Sequence, residues 1–205
     1  MITSIYAAYR GSRIVRREES ALIETANKAV FTIMGNPATK KNSPIVVRGR
    51  AAVLPSKAYR RYEQEFRRQL SVMKEQNGLS HFSGPVHLKA EYYLENRAHY
   101  PDLNGLIQAT QDILSDEFGT VLDRETGKRK RQKRRRWVLE DDRIVKSLDG
   151  CRIAGIDKTN PRVEITIEAM ELNPETETDP YLIRLAKSWM AQGLFSAKRE
   201  GDSLD

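Results

Sequence analysis

The stretch YPDLNGLIQATQDIL at 100–114 constrains this chain most, because it sets an extended entry, a helix start and a helix face together. Pro101 disfavours the α region for Tyr100, so the chain arrives extended. Asp102 then occupies an N-cap position, where its carboxylate can accept from the free amides of the first turn. With about 3.6 residues per turn, Leu103, Leu106, Ile107, Thr110, Ile113 and Leu114 share one face. Asn104, Gln108, Gln111 and Asp112 share the opposite one. The polar face reads as support for a metal site or as an ordinary surface. The acidic triplet Glu140-Asp141-Asp142 is its candidate complement, and it too reads as ligands or as a solvated turn.

The flanking sequence predicts strands. Val86 to Glu95 alternates at period two, a strand with one buried face. Val30 to Met34 is a short β run ended by Gly35-Asn36-Pro37. The runs 45–47 and 51–54 read as a hairpin turning at Gly49. Ser56 is the expected N-cap of a helix reaching about Glu75 and stopping at Asn77-Gly78. That helix buries Tyr59, Tyr62, Phe66, Leu70 and Met73, and turns Arg60, Arg61, Arg67 and Arg68 to the other side. Ile144 to Leu148 and Arg162 to Glu168 are two further strands, joined by the turn-rich 150–161. Residues 18–30 read as weakly helical, 1–17 as a basic arm, 173–180 as a linker and 181–194 as an amphipathic helix carrying Trp189. The division is a 1–29 extension, a 30–172 body and a 173–205 tail.

Charge is concentrated. The chain carries +7 overall, yet the nine residues 128–136 alone carry eight positive charges, so the rest comes to −1. Clustered Lys and Arg imply a polyanionic partner, nucleic acid above all. The basic insert 120–136 is too polar to pack and reads as a β-ribbon or a mobile loop. A nuclear-localisation signal is the rival reading of such a run. A single cysteine, Cys151, excludes an internal disulfide and fits a reducing compartment. With His81, His87 and His99 as its only histidines, a closed zinc site is not expected, and any metal should be a hard cation held by oxygen. No run approaches the about 18 apolar residues of a membrane span. No membrane partner is expected.

The order strand, Pro37 loop, hairpin, helix, strand, Pro-Asp-Leu helix, Glu-Asp-Asp, strand resembles the RusA family of Holliday junction resolvases, found in bacteria, phages and prophages. The resemblance covers about 30–170. It rests on Asn36-Pro37 with Lys41-Asn42, on Pro101-Asp102-Leu103-Asn104-Gly105-Leu106 with Asp112-Ile113-Leu114, on Leu139-Glu140-Asp141-Asp142, and on Arg162-Val163-Glu164-Ile165. It implies an α+β fold, a small mixed sheet packed by two main helices, to which this chain adds an N-terminal arm, a basic insert and a C-terminal helix. It also implies a cytoplasmic homodimer in a bacterial or phage-infected cell, nicking four-way DNA junctions in pairs with Mg²⁺ or Mn²⁺.

Carried onto this sequence, the family's catalytic aspartates fall on Asp102 and Asp142, both metal ligands. Asn104 stands where a second aspartate is usual, and Gln108 where a lysine is usual. Asn104 can still ligate through its carbonyl oxygen but brings no charge. Gln108 cannot neutralise a phosphate; Lys146 or the basic insert could take that role, and Asp112 could add a carboxylate. The insert itself is a departure from the family pattern. Lys40, Lys41, Arg60, Arg61, Lys146 and the run Lys128, Arg129, Lys130, Arg131, Lys133, Arg134, Arg135 and Arg136 are the expected phosphate-binding residues. Two alternatives stand beside the resolvase: a junction-binding protein that has lost catalysis through Asn104 and Gln108, and a nuclease for other branched or flap DNA.

Overall fold

The computed structural model describes residues 13–17, 20–25, 27–40, 45–46, 53–98, 100–123, 127–172 and 177–191. Among them the chain is mixed α+β. Eleven strands run in chain order: β1 (Arg13–Arg17), β2 (Ser20–Thr25), β3 (Lys28–Met34), β4 (Ile45–Val46), β5 (Val53–Leu54), β6 (Val86–Leu94), β7 (Glu117–Leu122), β8 (Arg129–Arg135), β9 (Val145–Ser147), β10 (Arg152–Ile156) and β11 (Arg162–Ala169). The helices are α1 (Lys57–Asn77), α2 (Leu103–Leu114) and α3 (Pro180–Ala191).

The main sheet has seven strands in the order β1-β2-β3-β11-β6-β10, with β9 also on β6. Every pair from β1 to β6 is antiparallel, whereas β9 and β10 both run parallel to β6, beside Val86–His87 and Glu91–Leu94 respectively. The three central strands carry the alternation that the sequence announces. Ala29, Phe31 and Ile33 of β3, Val163, Ile165 and Ile167 of β11, and all five odd members of β6 from Val86 to Leu94 are buried. α1 closes this face with Tyr59, Tyr62, Phe66, Leu70 and Met73, and α2 with Leu106, Ile107, Ala109, Ile113 and Leu114. A buried hydrogen bond of 2.9 Å between the Tyr92 and Thr110 hydroxyls fixes α2 against β6.

Helix ends follow their sequence signals. The Ser56 hydroxyl accepts from Tyr59 N at 3.1 Å, and Gly78 ends α1 in left-handed backbone. The hairpin expected at 45–54 pairs Ile45 with Leu54 and Val46 with Val53; its turn at Gly49 lies outside the described residues. The basic insert is a β-ribbon, β7 paired antiparallel with β8.

Three expectations are corrected. Ser20–Thr25, read as weakly helical, is a strand, because the open edge of β3 offers a ladder of unpaired donors and acceptors that outweighs a weak helical pattern. The turn-rich 150–161 contains a strand, β10, which takes the free edge of β6. Arg67, expected with Arg60, Arg61 and Arg68 on the side of α1 away from the core, is mostly covered and ion-paired with Glu63 and Glu117. The C-terminal helix docks on the body: Leu182 and Ala186 are fully buried, and the Trp189 ring lies against Gly84 so closely that a Cβ there would collide with it.

Candidate functional site

The loop after β3 brings the first cation to α2. Gln69 of α1 clamps the Met34 backbone at both ends, accepting from its N–H and donating to its carbonyl at 2.9 Å. Asn36 accepts from Glu95 N at 3.0 Å, and Gly35 N donates to the Pro161 carbonyl at 2.8 Å. So held, Thr39 and Lys40 run beside the helix. Asp102 caps it, with Oδ1 accepting from Gly105 N at 2.6 Å. A side chain at Gly105 would sit 2.8 Å from Asp102 Oδ2 and 3.1 Å from the Thr39 methyl, so only glycine lets loop and cap close this tightly. Thr39 is 3% exposed, and its hydroxyl has no hydrogen-bond partner among the described residues. Lys40 Nζ reaches Asp112 Oδ2 at 2.5 Å and lies 5.7 Å from the centre of the Tyr59 ring. Asn104 and Gln108 are exposed on the same helix.

The acidic triplet is brought to α2 from the other direction. Val138 N and Leu139 N both donate to the Leu114 carbonyl, at 3.0 and 2.9 Å, and Glu140 N donates to Phe82 O at 2.9 Å. Asp142 then opens a 3-10 turn, Asp142–Ile144, that packs on α2. The three acids separate. Glu140 faces Lys133 of β8 at 3.7 Å. Asp141 forms a two-pronged pair with Arg143, at 2.8 and 3.0 Å, and that guanidinium holds its carboxyl well down, at about 2. Asp142 has the opposite fate. Partial burial, a hydrogen bond from its own side to Asp141, and the charges of Asp141 and Asp112 all push its carboxyl above the usual range. The helix carboxylate whose charge acts on Asp142 is Asp112, ten residues or about 15 Å of helix beyond the Asp102 cap.

A second carboxylate, Asp116, roots the ribbon, and nothing in the sequence reading singled it out. Its side chain is fully buried. It accepts from Trp137 N at 2.6 Å, Lys133 Nζ at 2.7 Å and His81 Nε2 at 3.2 Å. Burial alone would raise its carboxyl, but these three donors outweigh it and hold it below the usual range. Arg136 Nη2 lies 2.8 Å from His81 Nδ1, so the imidazole accepts there and donates through Nε2. Burial keeps the His81 imidazole below its ordinary value. Trp137, 2% exposed, is covered by the guanidinium groups of Arg67 and Arg135, each 5.2 Å from its ring. No protein-family model matches the chain, and no curated protein matches it.

The basic run is thus divided. Lys133, Arg135 and Arg136 are committed to the root, to Asp116, Trp137 and His81. Arg129, Lys130, Arg131 and Arg134 lie along a strand exposed at all seven positions. Arg60 and Arg61 are exposed on α1. Lys146 is ion-paired with Asp179 ahead of α3, which makes Lys40, and not Lys146, the lysine brought to the polar face of α2. Lys41 and His99 lie outside the described residues. Cys151 is partly buried, its Sγ accepting from Ala90 N at 3.3 Å, and burial pushes its thiol up.

Among the described residues no three or more His, Cys, Asp or Glu side chains form a group placed to hold a metal ion. The expected ligand set counts only two such residues, Asp102 and Asp142, beside the amide of Asn104. Its chemistry suits a hard divalent cation, since carboxylate and amide oxygens are what such ions bind. Gly105 is the signal that could have found the close approach of loop and cap from sequence, since a glycine in a first helical turn costs about 1 kcal/mol unless close approach requires it.

Proposed function

We propose that this chain is a metal-dependent, structure-selective DNA endonuclease of RusA type, acting on four-way junctions as a homodimer. The observation that carries the reading is the turn Asp142–Ile144 packed on α2, where partial burial first, and then Asp141 and Asp112, push the Asp142 carboxyl up at the position where the resemblance puts a catalytic aspartate. Crowded carboxylates with perturbed protonation mark functional sites more often than structural ones. A divalent cation bound there would supply charge against the scissile phosphate and a water acidic enough to attack. The resemblance assigns Asp102, Asn104 and Asp142 to hold it, and Asp112, whose charge acts on Asp142, would add a carboxylate from the far end of α2. Lys40, carried by the clamped loop, places an ammonium on the helix face that Gln108 leaves uncharged. Arg60, Arg61 and the outer part of β8 would bind the phosphates of the arms. A two-fold dimer would supply two such centres for paired cuts.

A second reading, a junction-binding protein without catalysis, draws on the neutral Asn104 and Gln108 and on the absence of a three-member ligand group among the described residues. Incubation of the full chain with a synthetic four-way junction, in Mg²⁺ and then Mn²⁺, separates the two. Paired nicks in the wild type that disappear in Asp142→Asn support the nuclease. Tight junction binding with no metal-dependent nick, followed by strong cutting in Asn104→Asp with Gln108→Lys, would assign the second reading.

A further inference from the structure

From the shape and chemistry of the β7–β8 ribbon we infer that it enters the major groove of a duplex arm, cations toward the phosphates and the exposed Val121 and Leu122 against the base edges. The inference rests on the proposed DNA-binding reading and adds a mode of docking to it.

The ribbon is two antiparallel strands. Its root is fixed by the fully buried Asp116 and by Trp137, both described above, and by the ion pair of Glu117 with Arg67 of α1. Register assigns its two faces. Phe118, Thr120 and Leu122 stand opposite Lys133, Arg131 and Arg129, while Gly119 and Val121 stand opposite Gln132 and Lys130. Arg134 is the extra residue of a bulge near the root. A Cβ on Gly119 would collide with the Arg134 side chain, so this glycine lets the guanidinium lie flat across the strands. Arg131 stacks on Phe118, its guanidinium carbon 3.8 Å from the ring centre. Both faces therefore carry positive charge in ordered positions.

The outer end is different. Leu122 is 62% exposed and Val121 44%, on opposite faces, and each is paired across the ribbon with a cation, Arg129 or Lys130. Neither cation has an ion-pair partner among the described residues. Alternating apolar and cationic groups suit a surface that is anionic at its rims and partly apolar at its floor. A duplex groove is such a surface, with phosphates outside and base edges and thymine methyls within. Width selects the groove. Two strands about 4.8 Å apart, with side chains, match the about 12 Å major groove and exceed the about 6 Å minor groove.

Full-length protein titrated against a four-way junction, with fluorescence anisotropy read at several salt concentrations, tests this. Arg129→Gln with Lys130→Gln should reduce the slope of log affinity against log salt by about two, near 0.9 per phosphate lost. Leu122→Ser should leave that slope unchanged and weaken binding about fivefold. Wild type should protect guanine N7 from methylation on a junction arm, and netropsin, which fills the minor groove, should not compete. Urea midpoints equal to wild type show that both variants fold, and circular dichroism checks the ribbon. Junction binding that is unaltered in both variants, or that netropsin displaces, overturns the ribbon inference and leaves the nuclease reading standing. Loss of vesicle binding in the charge variant, with phosphatidylserine vesicles and DNA affinity intact, overturns it in favour of a membrane surface. A wild type that neither binds nor cuts any DNA overturns both.

Discussion

Asp116 and Asp142 flank the same short segment, 137–139, and the fold treats them in opposite ways. Asp116 is buried with three donors, and its proton is easily lost. Asp142 keeps its side chain open to solvent on one side, and partial burial together with Asp141 and Asp112 pushes its carboxyl up. A buried acid that receives a donor on each side fastens structure. An acid set among its own kind is disfavoured in its charged form, and such perturbed groups cluster at functional sites. The comparison teaches that the tidier of the two acids is the scaffold, and the crowded one is the candidate for function.

The largest effect that would break this contrast is at Asp116. Asp116→Ala leaves Lys133, His81 and the Trp137 amide without their acceptor, and stability should fall by about 3–5 kcal/mol, measured as a lower urea midpoint. A smaller effect comes from His81 and pH. Its folded pKa lies below the unfolded value, so the unfolded chain binds the extra proton first. Stability should be full above about pH 6.5 and decline as pH falls through the folded value. Urea midpoints between pH 8 and 5 should show this slope in the wild type and lose it in His81→Gln.

Asp102 sharpens the comparison, because it serves structure and proposed chemistry together. Asp102→Ala should cost about 1 kcal/mol as a lost cap, whereas Asp102→Asn keeps an acceptor and should cost only a few tenths. If the ligand assignment is right, both variants lose metal-dependent cleavage equally. Equal cleavage in Asp102→Asn and wild type would confine this residue to capping. The smallest stability effect is at Asp142. Its folded pKa is raised, so the folded chain holds the proton longer and stability falls as pH rises through that window. Asp142→Asn should therefore unfold within about 0.5 kcal/mol of wild type, while junction cleavage disappears.

Much of the scaffold was legible because it is periodic. Val86–Leu94 alternates without a break, and both α1 and α2 begin at capping residues that the sequence displays. β1 and β2 were not legible, because strands added in turn beyond the edge of β3 answer to their neighbour's unpaired backbone more than to their own pattern. β10 escaped for the same reason. At the candidate site, the cap, the polar face of α2 and the triplet could be read from spacing. That the triplet splits three ways could not, since it depends on Lys133 and Arg143 arriving from elsewhere in space or from the turn itself. The root of the ribbon was equally hidden: His81, Asp116 and Arg136 are brought together only by folding.

The docking of α3 carries a consequence for the acidic turn. Asp179 at its start holds Lys146 by an ion pair, and Tyr181 in its first turn lies 4.5 Å beneath the Arg143 guanidinium that neutralises Asp141. What looks in the primary structure like a dispensable tail is thus a brace behind the charged centre. Removing α3 would loosen Arg143, let Asp141 compete for protons with its neighbour, and change the electrostatics of Asp142 without touching a single proposed ligand.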